Sequence, residues 1–198
     1  VLRKRAKPVR AVNDELKRFV DDLFETMHHA SGIGLAANQV GSLDRVIVVD
    51  LSDVDEKHHE GVGEAAETLE KESGGASERT PWVEKLVLIN PEVIESRGAW
   101  KMEEGCLSIP EIRDEVERAK TIRVRFKDLD FNDQEIEAEG LLSRVLLHEI
   151  DHLNGVLFID RLGAMKRKLL RGRLNKIERG EVETKYPIVR NEAIEVSS

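Results

Sequence analysis

A single cysteine, Cys106, stands in the 198-residue chain, so no internal disulfide can form and nothing ties the protein to an oxidising compartment. Long apolar runs are missing as well. With neither a stretch able to span a bilayer nor the apolar core of a secretion signal, the expectation is a soluble cytoplasmic protein with no membrane partner. Positive charge is not in excess either: a formal net charge of -8 and a pI near 5.4 do not suit a chain that wraps nucleic acid or reads its sequence, although a local basic patch would escape that average. The length fits one domain with a substantial core, taken as residues 1–198, and is too short for two.

What is present is concentrated in a few places. His148, Glu149 and His152 stand in the run Leu147-His148-Glu149-Ile150-Asp151-His152. Residues four apart lie above one another on a helix face, so the two imidazoles can offer ring nitrogens to one ion. Glu149 is turned about 100° round the helix and can reach water at that ion without ligating it, which is the place for a general base. Cys106, in Glu104-Gly105-Cys106-Leu107-Ser108, would complete a set of two histidines and one thiolate. Three ligands leave a fourth position open for water, the mark of a catalytic rather than a structural site. Glu104 and Asp151 adjoin the ligands and are candidates to orient them, with a plain surface ion pair as the alternative for each.

The rest of the chain supplies a scaffold. From Asn13 to Ala30 the apolar residues recur at helical spacing, with Asn13 as N-cap. Ser31 to Gly41 reads as an irregular, glycine-punctuated segment, and Val46 to Val49 as a buried strand. Residues 52–80, rich in Glu, Asp, Gly and Ser, read as an acidic, mobile insertion, in which His58 and His59 are solvated loop residues. Lys85 to Asn90 resumes a strand that Pro91 breaks, and Val93-Ile94 begins another. Thr121 to Lys127 alternates apolar and basic residues as a half-exposed antiparallel strand, and Glu135 to Glu139 pairs back on it across a turn. Gly140 to Asn154 is a helix apolar over much of its circumference, which predicts burial; Val156 to Ile159 returns to extended chain, and Met165 to Arg179 forms a last amphipathic helix, placed within 164–180. The fold class expected is α+β, with mixed or antiparallel sheets packed around a buried central helix that carries the His-Glu-x-x-His run, and a C-terminal helix.

Gly32-Ile33-Gly34-Leu35-Ala36-Ala37 fits the dinucleotide fingerprint superficially. That fingerprint follows a strand and opens a helix, whereas this run follows a helix, so a nucleotide site is rejected. Its two glycines permit close backbone approach instead, and Gln39 offers a neutral amide donor to a developing oxyanion.

Taken together, the segments Gly32 to Gln39, Glu104 to Ser108 and His148 to His152 resemble the three signature motifs of the peptide deformylases, in the same order, and the likeness covers nearly the whole chain. The resemblance implies a hydrolase that removes the formyl group from N-formylmethionine of new bacterial or organellar polypeptides. It implies one divalent metal per chain, with Fe(2+) as the native ion and Zn(2+), Ni(2+) or Co(2+) as substitutes. Carried over by residue, it makes Cys106, His148 and His152 the ligands, Glu149 the proton shuttle, and Gln39 and the Leu107 amide the oxyanion donors. Ile33, Gly34 and Gly105 would bind the peptide backbone, with Leu141 and Val145 lining the methionine pocket. In some members of that family the C-terminal helix docks on the ribosome, which the basic face of Lys166, Arg167, Lys168, Arg171, Arg173, Lys176 and Arg179 would suit, with a solvated helix as the alternative. The chain departs from the pattern at Leu147, where the family usually carries glutamine, and at Asn38, a place often held by proline. Two rivals stay open: a zinc peptidase on the same helix, which would usually take its third ligand downstream where no histidine follows His152, and a non-catalytic peptide-binding relative.

Overall fold

The computed structural model describes residues 1–52, 54, 85–184 and 186. The acidic segment 52–80, with His58 and His59, lies outside the described residues except for Ser52 and Val54. Among the described residues there are three α-helices, α1 (Asp14–His29), α2 (Gly140–Leu153) and α3 (Ala164–Glu178). The strands are β1 (Gly34–Ala36), β2 (Val46–Asp50), β3 (Lys85–Arg97), β4 (Trp100–Cys106), β5 (Ile109–Arg118), β6 (Thr121–Lys127) and β7 (Asp133–Glu139). They form a five-stranded sheet in the order β1-β2-β3-β6-β7 and a separate β4-β5 hairpin, with every ladder antiparallel.

Helix α1 starts where the Asn13 side chain accepts the Leu16 amide at 2.8 Å, satisfying one donor that the first turn leaves free. Its buried residues, Leu16, Val20, Leu23 and Met27, fall three or four apart and make one stripe. Strand β2 shows why the sheet is covered on both sides. Val46 and Val48 belong to the core against α1, whereas Ile47 and Val49 belong to the core against α2. Alternate side chains of one strand point to opposite faces, so a continuous apolar run is what a doubly covered strand requires. Each such side chain contributes about 1.5–3 kcal/mol on burial. Strand β6 follows the expected alternation: Ile122, Val124 and Phe126 face the α2 core, while Arg123 pairs with Glu95 and Arg125 with Glu135 on the open face.

Four local expectations are corrected. The segment after α1 is not irregular throughout, since Gly34–Ala36 pairs with β2 and Ala37–Val40 forms a 3-10 turn. Pro91 does not end β3. A register shift between Ile89 and Glu92 takes the donor-less proline out of the ladder, with Asn90 at φ 55, and the strand resumes beyond it. Residues Phe158–Arg161 form a 3-10 turn rather than extended chain, because the Asp160 carboxylate accepts the Leu157 amide at 2.8 Å while Phe158 and Ile159 are buried. The β4-β5 hairpin, which the apolar pattern does not mark, pairs Trp100–Gly105 with Arg113–Arg118, and it carries Cys106.

Helix α2 buries ten residues, among them four with ionisable side chains: Arg144, Glu149, Asp151 and His152. Leu147 is partly buried against the core cluster that α2 shares with the sheet, which accounts for an apolar residue at that place. Helix α3 buries none.

Candidate metal centre

Strand β4 ends at Cys106, where a register shift after Gly105 and the turn Leu107-Ser108 bring the chain back as β5. Opposite this turn, α2 presents His148 and His152 one helical turn apart. The Cys106 Sγ lies 3.1 Å from the His152 Nε2, and the ligand-type atoms of Cys106, His148 and His152 all fall within 4.8 Å of one another. Two imidazole nitrogens and a sulfur at that separation fit a single borderline-soft divalent ion. The two rings meet edge to face with centroids 4.9 Å apart.

Behind the ligands stands a buried ionic network. The His148 Nδ1 meets the Glu104 Oε2 at 3.2 Å, which fixes the ring and leaves Nε2 for an ion. Glu104 accepts two hydrogen bonds from Arg118, at 2.6 and 2.9 Å, and a further one from Arg144. Arg118 also donates to Asp151 at 2.7 Å, and Arg161 closes on Asp151 at 2.6 and 2.7 Å. Burial alone would raise the Glu104 carboxyl, but the hydrogen bonds from His148 and Arg118 hold it down to about 2. Glu104 and Asp151 therefore belong to a buried assembly and not to surface ion pairs. Sequence reading missed Arg118, Arg144 and Arg161. One signal was available: Arg144 is a lone charge on the apolar side of a helix.

Burial holds His152 low, aided by the positive charge of His148 and Arg118, so its ring stays neutral as a ligand nitrogen must. Burial works the same way on His148, yet the hydrogen bonds with Cys106 and Glu104 outweigh it and raise that group. Glu149 is 4% exposed, its Oε2 has no partner, and burial pushes its carboxyl up to about 7. A carboxyl poised there can both take and give a proton near neutrality.

The glycine-rich segment closes the other side. A Cβ on Gly34 would come within 2.8 Å of the Val145 Cγ1 and 2.9 Å of the Glu149 Oε1, so only glycine lets β1 lie this close to α2. Gln39 Oε1 accepts the Ala36 amide at 2.7 Å, which turns its Nε2 towards Ser108 Oγ at 3.2 Å and Cys106 Sγ at 3.9 Å. Thus Gln39, Cys106, His148 and His152 converge, with Gly105 and Leu107 flanking the cysteine and Gly34, Val145 and Glu149 in mutual contact. Leu141 and Ile33 are partly buried against the same core; Ile33 accepts the Asp50 amide at 3.1 Å.

A scaffold of helices on antiparallel sheets that gathers two imidazoles and a cysteine sulfur beside a buried carboxyl and an amide donor defines a hydrolase with a candidate metal site. The model of the polypeptide deformylase family matches residues 1–168, and the chain belongs to that family. It is 46% identical to a peptide deformylase of Salinibacter ruber over 95% of this chain and 89% of that one. It is 45% identical to a peptide deformylase of Acidobacterium capsulatum, covering 90% and 91%. Among solved structures, a peptide deformylase from Legionella pneumophila superposes with a TM-score of 0.69 at 37% identity, covering 91% of this chain and 90% of that one. A peptide deformylase 1B of Arabidopsis thaliana gives 0.72 at 29% identity, covering 91% and 86%.

Proposed function

We propose that this chain removes the N-formyl group from N-formylmethionine of nascent polypeptides, releasing formate and a free amino terminus. The observation that carries the reading is the gathering of Cys106, His148 and His152 within 4.8 Å of one another, with the Gln39 amide reaching towards the Cys106 sulfur. Cys106, His148 and His152 hold one divalent ion, Fe(2+) in the cell with Zn(2+), Ni(2+) or Co(2+) able to replace it. When bound, the ion supplies Lewis acidity to water and to the formyl oxygen.

The protein's own groups do the remaining work. Ile33, Gly34 and Gly105 pair with the peptide backbone and hold it extended, while Leu141 and Val145 receive the methionine side chain. Glu149 takes the proton from the attacking water and delivers it to the departing amine nitrogen, a cycle suited to its raised pKa. Gln39 Nε2 and the Leu107 amide donate to the oxygen that gains charge as the formyl carbon becomes tetrahedral. Glu104 keeps the His148 ring oriented throughout. Helix α2 is thereby the central element of one domain.

The enzyme works in the cytoplasm, beside the ribosome. Helix α3 presents exposed Lys168 and Arg171 with other basic residues on its surface, a face that suits phosphate contacts. Sedimentation with ribosomes at several salt concentrations tests the docking, and absence of binding at every salt rejects it. The reaction itself is tested by incubating the protein with a formyl-Met peptide and its unformylated twin. Formate release from the first alone is expected; cleavage of an internal bond without formate would overturn the reading. Metal analysis of protein purified without oxygen identifies the ion.

A further inference from the structure

Leu107 is the one proposed oxyanion donor that belongs to the main chain, so its direction is set by whatever holds the two-residue turn between β4 and β5. Three contacts hold it. Its side chain packs on Gly32, where an added Cβ would come within 2.8 Å of the Leu107 Cδ1. Ser108, the next residue, receives Gln39 Nε2 at 3.2 Å. The third contact comes from the far end of the chain: the Tyr186 hydroxyl donates to the Leu107 carbonyl at 2.7 Å.

The chain reaches that point by a defined route. Past α3, Gly180 takes the left-handed conformation at φ 71. Its amide donates to the Ile177 carbonyl at 2.9 Å and the Glu181 amide to the Lys176 carbonyl at 2.8 Å. This is the pair of bonds that ends a helix and reverses the chain. Glu181, Val182 and Glu183 then line one cavity with Pro110 and Glu111 of β5, the strand that leaves the Leu107-Ser108 turn. The Thr184 hydroxyl donates to the Tyr186 carbonyl at 2.6 Å. Burial and the neighbouring Cys106 raise the Tyr186 pKa, so the phenol keeps its proton and remains a donor across the neutral range.

We propose that Tyr186 is a positioning residue: the segment beyond α3 returns to the metal-binding loop, and the Tyr186 hydroxyl anchors the Leu107 carbonyl, so that the residue is held from its C-terminal side while its own N–H, in the preceding peptide unit, points at the reacting oxygen. This rests on the deformylase reading of the site. It assigns to the C-terminal segment a part in turnover that the three motifs do not contain, and it predicts a defect in the chemical step and not in peptide binding.

The test compares the full-length, metal-loaded protein with Y186F and Y186A, using formate release from a formyl-Met peptide and amide hydrogen exchange of the loop in metal-free protein. Loss of one neutral hydrogen bond should lower kcat about 2–10-fold in Y186F, with KM within about twofold. Exchange at Ile109, which closes the turn by pairing with Cys106, should quicken in the same variant. Y186A should be at least as slow. A Y186F protein with wild-type kcat overturns the proposal even if Y186A is impaired, since ring packing alone would then be at work. A raised KM at unchanged kcat overturns it too. Should the wild type release no formate, the functional reading fails separately, and exchange alone decides the Tyr186–Leu107 tie: wild-type protection in Y186F rejects it, and faster exchange upholds it.

Discussion

Helices α2 and α3 have nearly the same length, 14 and 15 residues, and treat charge in opposite ways. Helix α2 buries Arg144, Glu149, Asp151 and His152, and of these Arg144 and Asp151 meet charged partners from β4, β5 and the turn after α2. Helix α3 has no fully buried residue: Leu170, Leu174 and Ile177 are only partly covered against the core beside β5, and Met165 and Leu169 are 79% and 78% exposed. Removing charges from water is costly, and a buried ion pair seldom recovers more than that cost. The arrangement on α2 is therefore better understood as orientation of the ligands than as a source of stability. On α3 the charges remain hydrated, and each contributes little to the fold.

The largest effect that can break this comparison is expected from Arg118→Met. Arg118 is the residue that joins Glu104 to Asp151, and its side chain is 1% exposed. Its loss leaves two buried carboxylates short of a partner, which should cost about 3–5 kcal/mol. Urea unfolding measures it. A loss below about 1 kcal/mol would place the network with ordinary surface pairs and remove the contrast between the helices.

Next comes Glu149→Gln, which keeps the shape of α2 and removes the proton acceptor. Turnover should fall by a factor on the order of 100 or more, equivalent to about 2.7 kcal/mol of barrier, while bound metal stays at the wild-type level. Comparison of kcat with metal content checks both halves. Intact activity would mean that another group moves the proton.

These two positions also divide what the amino-acid sequence announces from what it withholds. The placing of Glu149 is legible because it depends on local spacing: His148 and His152, four apart, share a helix face, and the residue after His148 is turned out of line with them. The same holds for α1, where the apolar period and Asn13 locate the helix and its start. Arg118 is not legible, because its meaning comes from Glu104 on a paired strand and Asp151 on α2, 14 and 33 positions away. The β4-β5 hairpin is hidden for a related reason. Its exposed rows are charged and its buried apolar residues, Ile109, Ile112 and Val116, pack against the turn after α2 rather than the main sheet, so no clean alternation marks it. Pro91 misleads in the other direction, since tertiary pairing absorbs it as a bulge.

A smaller effect is expected at Asp50, which sits at the end of β2 with its side chain 4% exposed and accepts bonds from Ser52 and His28, with Lys85 at 3.6 Å. It is buried like the α2 network but is held by Ser52, His28 and Lys85 rather than by residues of the metal centre, so it tests whether burial alone or contact with that centre gives a charge its weight. Burial would raise its pKa, yet the bonds from Ser52 and His28 and the charge of Lys85 lower it below the usual 3.8. A depressed carboxyl stabilises the fold above its unfolded value and loses that contribution as pH falls through the folded one. Asp50→Asn should therefore cost about 1–2 kcal/mol at neutral pH, and wild type and variant should converge in acid. Unfolding curves from about pH 2 to 7 follow the difference; a gap that stays constant would show that the carboxylate charge is not responsible.

The smallest effects belong to α3. Lys168 and Arg171 are exposed and stand apart from the buried network, so alanine at either should change stability by no more than about 0.5 kcal/mol. Formate release should be unchanged for the same reason, because neither side chain lies near Cys106 or Glu149 in the chain of contacts that builds the site. The comparison sharpens if the double variant nevertheless loses ribosome binding at low salt while keeping its unfolding midpoint. A charge that does nothing for the fold would then be shown to act on a partner, whereas on α2 the same kind of charge is held by buried partners. A fall in stability above about 1 kcal/mol for either single variant would instead mean that α3 is tied to the body of the protein by its charges, and the division between the two helices would not hold.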